Sequence, residues 1–488
     1  MPSPESIARL DAMFERRYPT ATPLSAALAD QLRATGRAEN RAAGQRLAVI
    51  GELDVMWLRR FGERETWCTD TQEAITAEIA AALTITQGLA TSYLEYSRAM
   101  RLRLPKVGEV LLAGDIDYRT FQTIVYRTDL ITDPDVLAAV DSSLAVKLSR
   151  WRGITQGRLG GYVDRVVARA DRDAVRRRRE RRGGREFSIW GDADGLTEVF
   201  GRLVTTDAYA VDARLDALAA TVCADDPRTR NQRRADAMGA LAMGADRLSC
   251  RCLQADCPAA AGPVSSPVVI HVIAEEASLD GSAPNPGSLI GSDALIPAEL
   301  IAELARTAKL RPLIHPADAP PENRYTPSRA LADFVRCRDL TCRFPGCDQP
   351  ATRTDLDHTT PYDAGGATHA SNLKCLCRLH HLIKTFWGWH DQQLPDGTVI
   401  WTSPSGQTYV TTPGSALLFP SLCTPTAALE HIPARPRCAD QSARMPKRRH
   451  SRAHNRAKYI ASERRHNRAA REAFGQAPIV ANDEPPPF

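Results

Sequence analysis

Residues 355–384 read DLDHTTPYDAGGATHASNLKCLCRLHHLIK, and the adjacent histidines near the end, His380 and His381, raise the question on which the fold turns. Cys377-Arg378-Leu379-His380 sets a cysteine and a histidine three residues apart, on one face if a helix begins there. Upstream, Cys342 and Cys347 lie in CRFPGC, where Pro345-Gly346 makes a tight turn that lets both thiolates face one ion. Cys342, Cys347, Cys377 and His380 form a closed set of three thiolates and one imidazole, the donor set of a structural Zn²⁺ site. Cys375, two residues before Cys377, is expected in the core and not among the ligands.

Asp357, His358, Asn372 and His381 are left over. DLDH, then Gly365-Gly366, then NLKCLC, then HHLIK resembles, over residues 336–412, an HNH endonuclease of the ββα-metal type. The upstream helical region and YTPSRALADFVRCRD resemble actinobacterial proteins that carry a large N-terminal domain of unknown function before an HNH domain, including the mycobacterial repeat family. The resemblance implies metal-dependent hydrolysis of DNA phosphodiester bonds. His358 would be the general base, a role that neutral imidazole suits near pH 7. Asp357 and His381 would hold one catalytic divalent ion, Mg²⁺ or Mn²⁺, with Zn²⁺ or Ni²⁺ also compatible. Asn372 would brace the loop and orient His358, and Arg378 and Lys384 would touch flanking phosphates. His380 then belongs to the structural zinc, while His381, about 100° further round the helix, faces the cleft. His369 and His390 fit no role and are expected at the surface. A competing reading is a catalytically inactive, zinc-stabilised nucleic-acid-binding protein, which needs only the zinc set. A nuclease toxin is a third, and the N-terminus shows no delivery feature for it.

The 488 residues suggest two to four domains. The fold class expected is mainly α with small β elements. Residues 1–310 read as a mainly helical domain and 311–328 as a Pro-rich linker. Residues 329–415 read as the small zinc-stabilised ββα-metal domain, and 416–488 as a basic, disordered tail. Within the first part, helices are expected over 72–103 (stopped by Pro105), 115–130 and 134–148, with RRRRERR at 176–182 extending a polar helix. EFSIW and the residues after Asp194-Gly195 suggest a strand pair. Helices follow over 208–220 and 232–248, a buried strand over 267–274, a loop over 281–291 and a helix over 297–310. Past the linker, 328–338 reads as a helix and 397–413 as a hairpin turning at Ser403 to Gly406. No internal repeat is present.

The formal charge of +5 hides a basic segment, Arg444 to Arg471, against a mildly acidic remainder. Such a segment binds phosphates without reading sequence, or is a solvated extension. Residues 336–412 carry seven Lys/Arg and seven acids, so DNA affinity there needs local patterning. No apolar run approaches the ~18 residues of a membrane span, and the N-terminus has no signal-peptide pattern. The expected location is the cytoplasm, where disulfides seldom persist, so of the twelve cysteines the cluster Cys337, Cys342, Cys347, Cys375 and Cys377 points to metal before disulfide. Cys68 and Cys223 stand alone. A second group, SCRCLQADC with Cys250, Cys252 and Cys257, would need a fourth ligand from elsewhere to hold metal.

Overall fold

In the computed structural model the described residues are 3–6, 9, 13, 22–148, 155–176, 185–193, 196–252, 254, 256, 257, 259, 270–290, 295–306, 308–429 and 445–475. The chain divides into two compact units, one formed by residues 1–177 with 443–488 and the other by 178–442. The division between these two units falls near residue 177, and the expected linker at 311–328 lies within the second.

The first unit is helical. Helix α1 spans Pro23–Phe61, opened by a Thr22/Ser25 capping box. The expected helix over 72–103 is two, α2 (Thr71–Leu83) and α3 (Gln87–Arg98), bent 109° apart. The run Thr84-Ile85-Thr86 explains the break: Thr84 ends α2 in the left-handed region (φ 52), and the Thr86 hydroxyl caps α3 by accepting from the Leu89 amide. A π-turn at Ala99–Arg103 leads to α4 (Pro105–Leu112), whose first amides, Lys106 and Val107, donate to Asp141. Helices α5 (Tyr118–Thr128), α6 (Pro134–Leu148) and α7 (Gln156–Ala170) match expected helices or extend the pattern. Leu47, Leu104, Leu111, Phe121, Leu144 and Val163 meet in its core. Among the described residues no single helix is long and apolar enough to cross a membrane. Of the RRRRERR stretch, residues 177–182 lie outside the described residues.

The second unit begins with the expected hairpin, β1 (Glu186–Ala193) and β2 (Leu196–Arg202). Helices α8 (Thr205–Ala219) and α9 (Arg230–Ala242) follow. The strand expected over 267–274 is outside the described residues up to 269, and only Val272–Ile273 (β3) pairs, with β4 (Gly287–Leu289), which in turn pairs with β5 (Leu295–Ile296). Helix α10 covers Ala298–Ala305. Then come α11 (Arg329–Asp339), antiparallel strands β6 (Thr354–His358) and β7 (Leu373–Cys377), and α12 (Arg378–Phe386). Strand β8 (His390–Gln393) pairs with β9 (Val399–Thr402), and β9 pairs with β10 (Thr408–Thr411) through the expected turn, where the Gly406 amide donates to Ser403 O.

The tail is a correction. Residues 452–475 form helix α13 instead of a disordered segment. Arginines of α13, and Arg448 just before it, meet acids of the same unit: Arg448 and Arg452 reach Asp70, Arg464 reaches Asp171, and Arg468 and Arg471 reach Asp173. The Asn467 amide donates to the Asp173 and Val175 carbonyls. Composition shows the excess of positive charge but not that acids scattered from residue 70 to 173 are its partners. Asp173→Ala removes both acceptors at the far end, so α13 should loosen from residue 475 inward. Tryptic release of that end, faster in the variant than in wild type, checks this.

Candidate functional site

The site rests on α11. Ser328 caps it by accepting from the Leu331 amide, and its last turn carries a buried ion pair, Arg338 with Asp339. Arg338 donates to the carbonyls of Ala370 and Leu373, while Asp339 accepts from the Cys375 amide. Strand β7 is thereby held in place, with Leu373 and Cys375 in the core as the alternation requires.

The chain then turns at Gly346 (φ 74) and brings Cys342 and Cys347 together. Cys377 starts α12 and donates its amide to Cys342 Sγ, and one turn on His380 Nδ1 lies 3.3 Å from Cys377 Sγ and 3.6 Å from Cys342 Sγ. The four donor atoms of Cys342, Cys347, Cys377 and His380 all lie within 4.8 Å of one another. Tetrahedral Zn–S bonds of ~2.3 Å set donors ~3.8 Å apart, so the group fits a structural zinc with small adjustments. Burial pushes the Cys342 thiol well up, while hydrogen bonds from Cys342 and Cys347 hold the Cys377 thiol far down. The Phe344 ring stacks on His380 at 4.0 Å.

On the other side of the same helix turn, His381 faces β6. Its Nδ1 lies 2.9 Å from Asp355 Oδ2 and its Nε2 lies 3.4 Å from Asp357 Oδ1. Asp357 Oδ2 takes the ammonium groups of Lys374 at 2.7 Å and Lys384 at 2.6 Å, and both lysines also pair with Asp391. Burial alone would raise the Asp357 carboxyl, but Lys374, Lys384 and His381 hold it well below the usual carboxylate range. Asp357, His358 and His381 line one cleft of about 250 Å³ with Tyr325, Tyr362 and Lys384. His358 Nε2 is 2.9 Å from Thr368 Oγ1, and its ring packs against both Tyr325 and Tyr362, which also touch each other. Burial, then Lys374, Lys384 and His381, lower the His358 pKa from its ordinary 6.5 against the opposing pull of Asp357.

Asn372 lies beneath the loop and does not reach the imidazole. Its amide nitrogen donates to the Thr360 and Ala367 carbonyls, its side-chain oxygen accepts from the Thr360 amide, and its backbone oxygen accepts from Thr359. The same closure fixes Gly366, where a Cβ would sit 1.7 Å from Thr360 O. Arg378 is exposed and pairs with Asp355 at 3.3 Å.

Two expectations are corrected. Lys384 is not free for phosphates, because its ammonium is buried between Asp357, Asp391 and the His358 carbonyl. His369 is buried, with Nε2 at Ala319 O and Nδ1 accepting from the Ser371 amide, while His390 is exposed as expected. The sequence reading also missed Asp355, Thr368, Lys374 and Asp391. Asp355 carries a signal, since residues two apart on a strand share a face with Asp357. Lys374 becomes visible only through the Asp357↔Lys374 register, and Asp391 only through the packing of β8.

Residues 34–339 match the model of a family described as "Domain of unknown function (DUF222)". The chain is similar to two Mycobacterium tuberculosis proteins. It is 43% identical to "Uncharacterized protein Rv3776", covering 95% of this chain and 92% of that one. It is 41% identical to "Uncharacterized protein Rv2100", covering 98% and 93%. No solved structure matches.

Proposed function

Because the chain belongs to the DUF222 family, whose description names no chemistry, we propose a function from the site itself: a metal-dependent, HNH-type endonuclease that hydrolyses phosphodiester bonds in DNA. One observation carries the proposal. Asp357 Oδ1 and His381 Nε2 face each other 3.4 Å apart in an open cleft that also holds the His358 imidazole.

The protons are arranged for this role. Thr368 donates its hydroxyl proton to the Arg324 carbonyl, so it accepts from His358 Nε2–H. That leaves Nδ1 with the lone pair that removes a proton from the attacking water. His381 donates Nδ1–H to Asp355, so its Nε2 is the lone pair opposed to the Asp357 carboxylate. Two acceptors facing each other suit a cation, and ~2.1 Å bonds at right angles set ligand atoms ~3.0 Å apart. A divalent ion there supplies Lewis-acid stabilisation of charge on the phosphate and on the leaving 3′ oxygen. Lys384 positions Asp357 and the His358 backbone, and Asn372 holds the loop behind them. Exposed Arg378 is the residue available for a flanking phosphate.

The test is cleavage of supercoiled plasmid in Mg²⁺ or Mn²⁺ against EDTA. The rate should fall with acid as His358 takes a proton, with an apparent pKa below 6.5, because its folded-state pKa is lowered. A rate profile whose acid limb lies above that value removes His358 as the base. Thr368→Val should lower kcat about 10- to 100-fold, leave KM nearly unchanged and move the acid limb. An unchanged pH profile would make Thr368 merely structural.

A second reading has its own observation. Two lysine ammonium groups on Asp357 Oδ2 neutralise the carboxylate that would hold the ion. This favours a zinc-stabilised DNA-binding protein without cleavage. DNA binding with no cutting in any divalent metal would select it.

A further inference from the structure

The three cysteines of SCRCLQADC lack a fourth partner nearby in sequence, and the fold brings one to them. Cys223, just after α8, stands with Cys250, Cys252 and Cys257, and the four sulfurs all lie within 4.8 Å of one another. From this grouping we propose a second metal site, a tetrathiolate centre that binds Zn²⁺ and ties α8 and α9 to the segment that follows them.

The geometry suits one ion better than a disulfide. A single Zn²⁺ with ~2.3 Å bonds asks for sulfurs ~3.8 Å apart in all directions. The Cys223 and Cys250 sulfurs are 3.4 Å apart, far from the ~2.05 Å of a covalent bond. One ion draws on all four sulfurs at once, whereas each disulfide would join only two of them.

The ligand-bearing segments are prebuilt. Leu248 N donates to Thr221 Oγ1, Arg228 donates to Ser249 O, and Arg251 N donates to Asp226. Gln254 donates to Asp225, and the Cys250 amide donates to Ala259 O. These bonds stitch residues 221–228 to 248–259 and hold Cys223 against the other three.

Among the described residues the apolar support here is small. The core between α8 and α9 is Leu215, Leu218 and Ala237, with Val211, Met238, Ala240 and Leu241 half-buried against it. So small an apolar cluster is the setting in which small folds use metal as a staple. All four ligands are thiolates with no open position, which assigns structure and not catalysis to this ion. The inference does not depend on the nuclease reading.

The experiment is a zinc count on the full-length chain purified under reducing conditions without added metal. Two zinc ions per chain are expected, one at this site and one at the Cys342 group. Cys223→Ser should lower the count by one, and Cys347→Ser should lower it by one independently. Cys223→His should keep two ions and, after cobalt substitution, weaken the sulfur-to-metal charge-transfer bands. One zinc in wild type, two zinc in Cys223→Ser, iron in place of zinc, or a Cys223–Cys250 disulfide in the thiol count would each overturn the proposal. The wild-type count decides alone if the serine variant does not fold.

Discussion

His358→Ala is expected to lower the proposed metal-dependent plasmid cleavage by about 10³-fold, with zinc content and melting temperature close to wild type. The expectation follows from where His358 sits. Its imidazole borders the cleft and contacts Thr368, Tyr325 and Tyr362, while the zinc group and the Leu373/Cys375 core are built from other residues. Asp357→Ala is a poorer test of chemistry. It would leave Lys374 and Lys384 with Asp391 as their one carboxylate partner, and breaking a buried ion pair costs about 3–5 kcal/mol. Lost activity would then be confounded with lost folding. If His358→Ala cuts as fast as wild type, the general-base assignment fails.

Cys342→Ala unfolds residues 336–412, and the loss is larger than that of any cleft variant. Structural zinc in small domains contributes an apparent ~10–16 kcal/mol, available only when the ligands are assembled. Cys342 is both a candidate zinc ligand and the acceptor of the Cys377 amide, which joins the turn to the start of α12. The variant should lose one zinc, expose Trp389 and Trp401, which pack on Phe344, and become protease-sensitive in this region. Zinc content equal to wild type, with the region still folded, would show that Cys342 is not a ligand.

The candidate site was legible where the chemistry is local. CRFPGC and CRLH state their donors by spacing, and the different neighbours of His380 and His381 follow from helical rotation. The hairpin at 397–413 was legible because alternation and a glycine turn coincide. What depended on long-range pairing was not. Lys374 and Asp391 join the site through strand register and packing, 17 and 34 residues from Asp357. Lys384 reads as a helix-face cation until β6 and β8 supply two carboxylates beneath it. Cys223 looked solitary because its partners lie 27 or more residues on. Helix propensity likewise ran through residue 84, where a β-branched run and a capping threonine ended it.

The placement of α13 has a consequence for synthesis. Residues 443–488 complete a unit whose other part is residues 1–177, so the whole of 178–442 is threaded between the two parts. On a ribosome the acids Asp70, Asp171 and Asp173 emerge long before the arginines that neutralise them. The first unit therefore matures last. A nonsense codon near residue 440 would spare every cysteine of both metal-ligand groups and the whole cleft, yet strand the N-terminal helices with uncompensated carboxylates. Such a protein would fail through its beginning and not through its missing end.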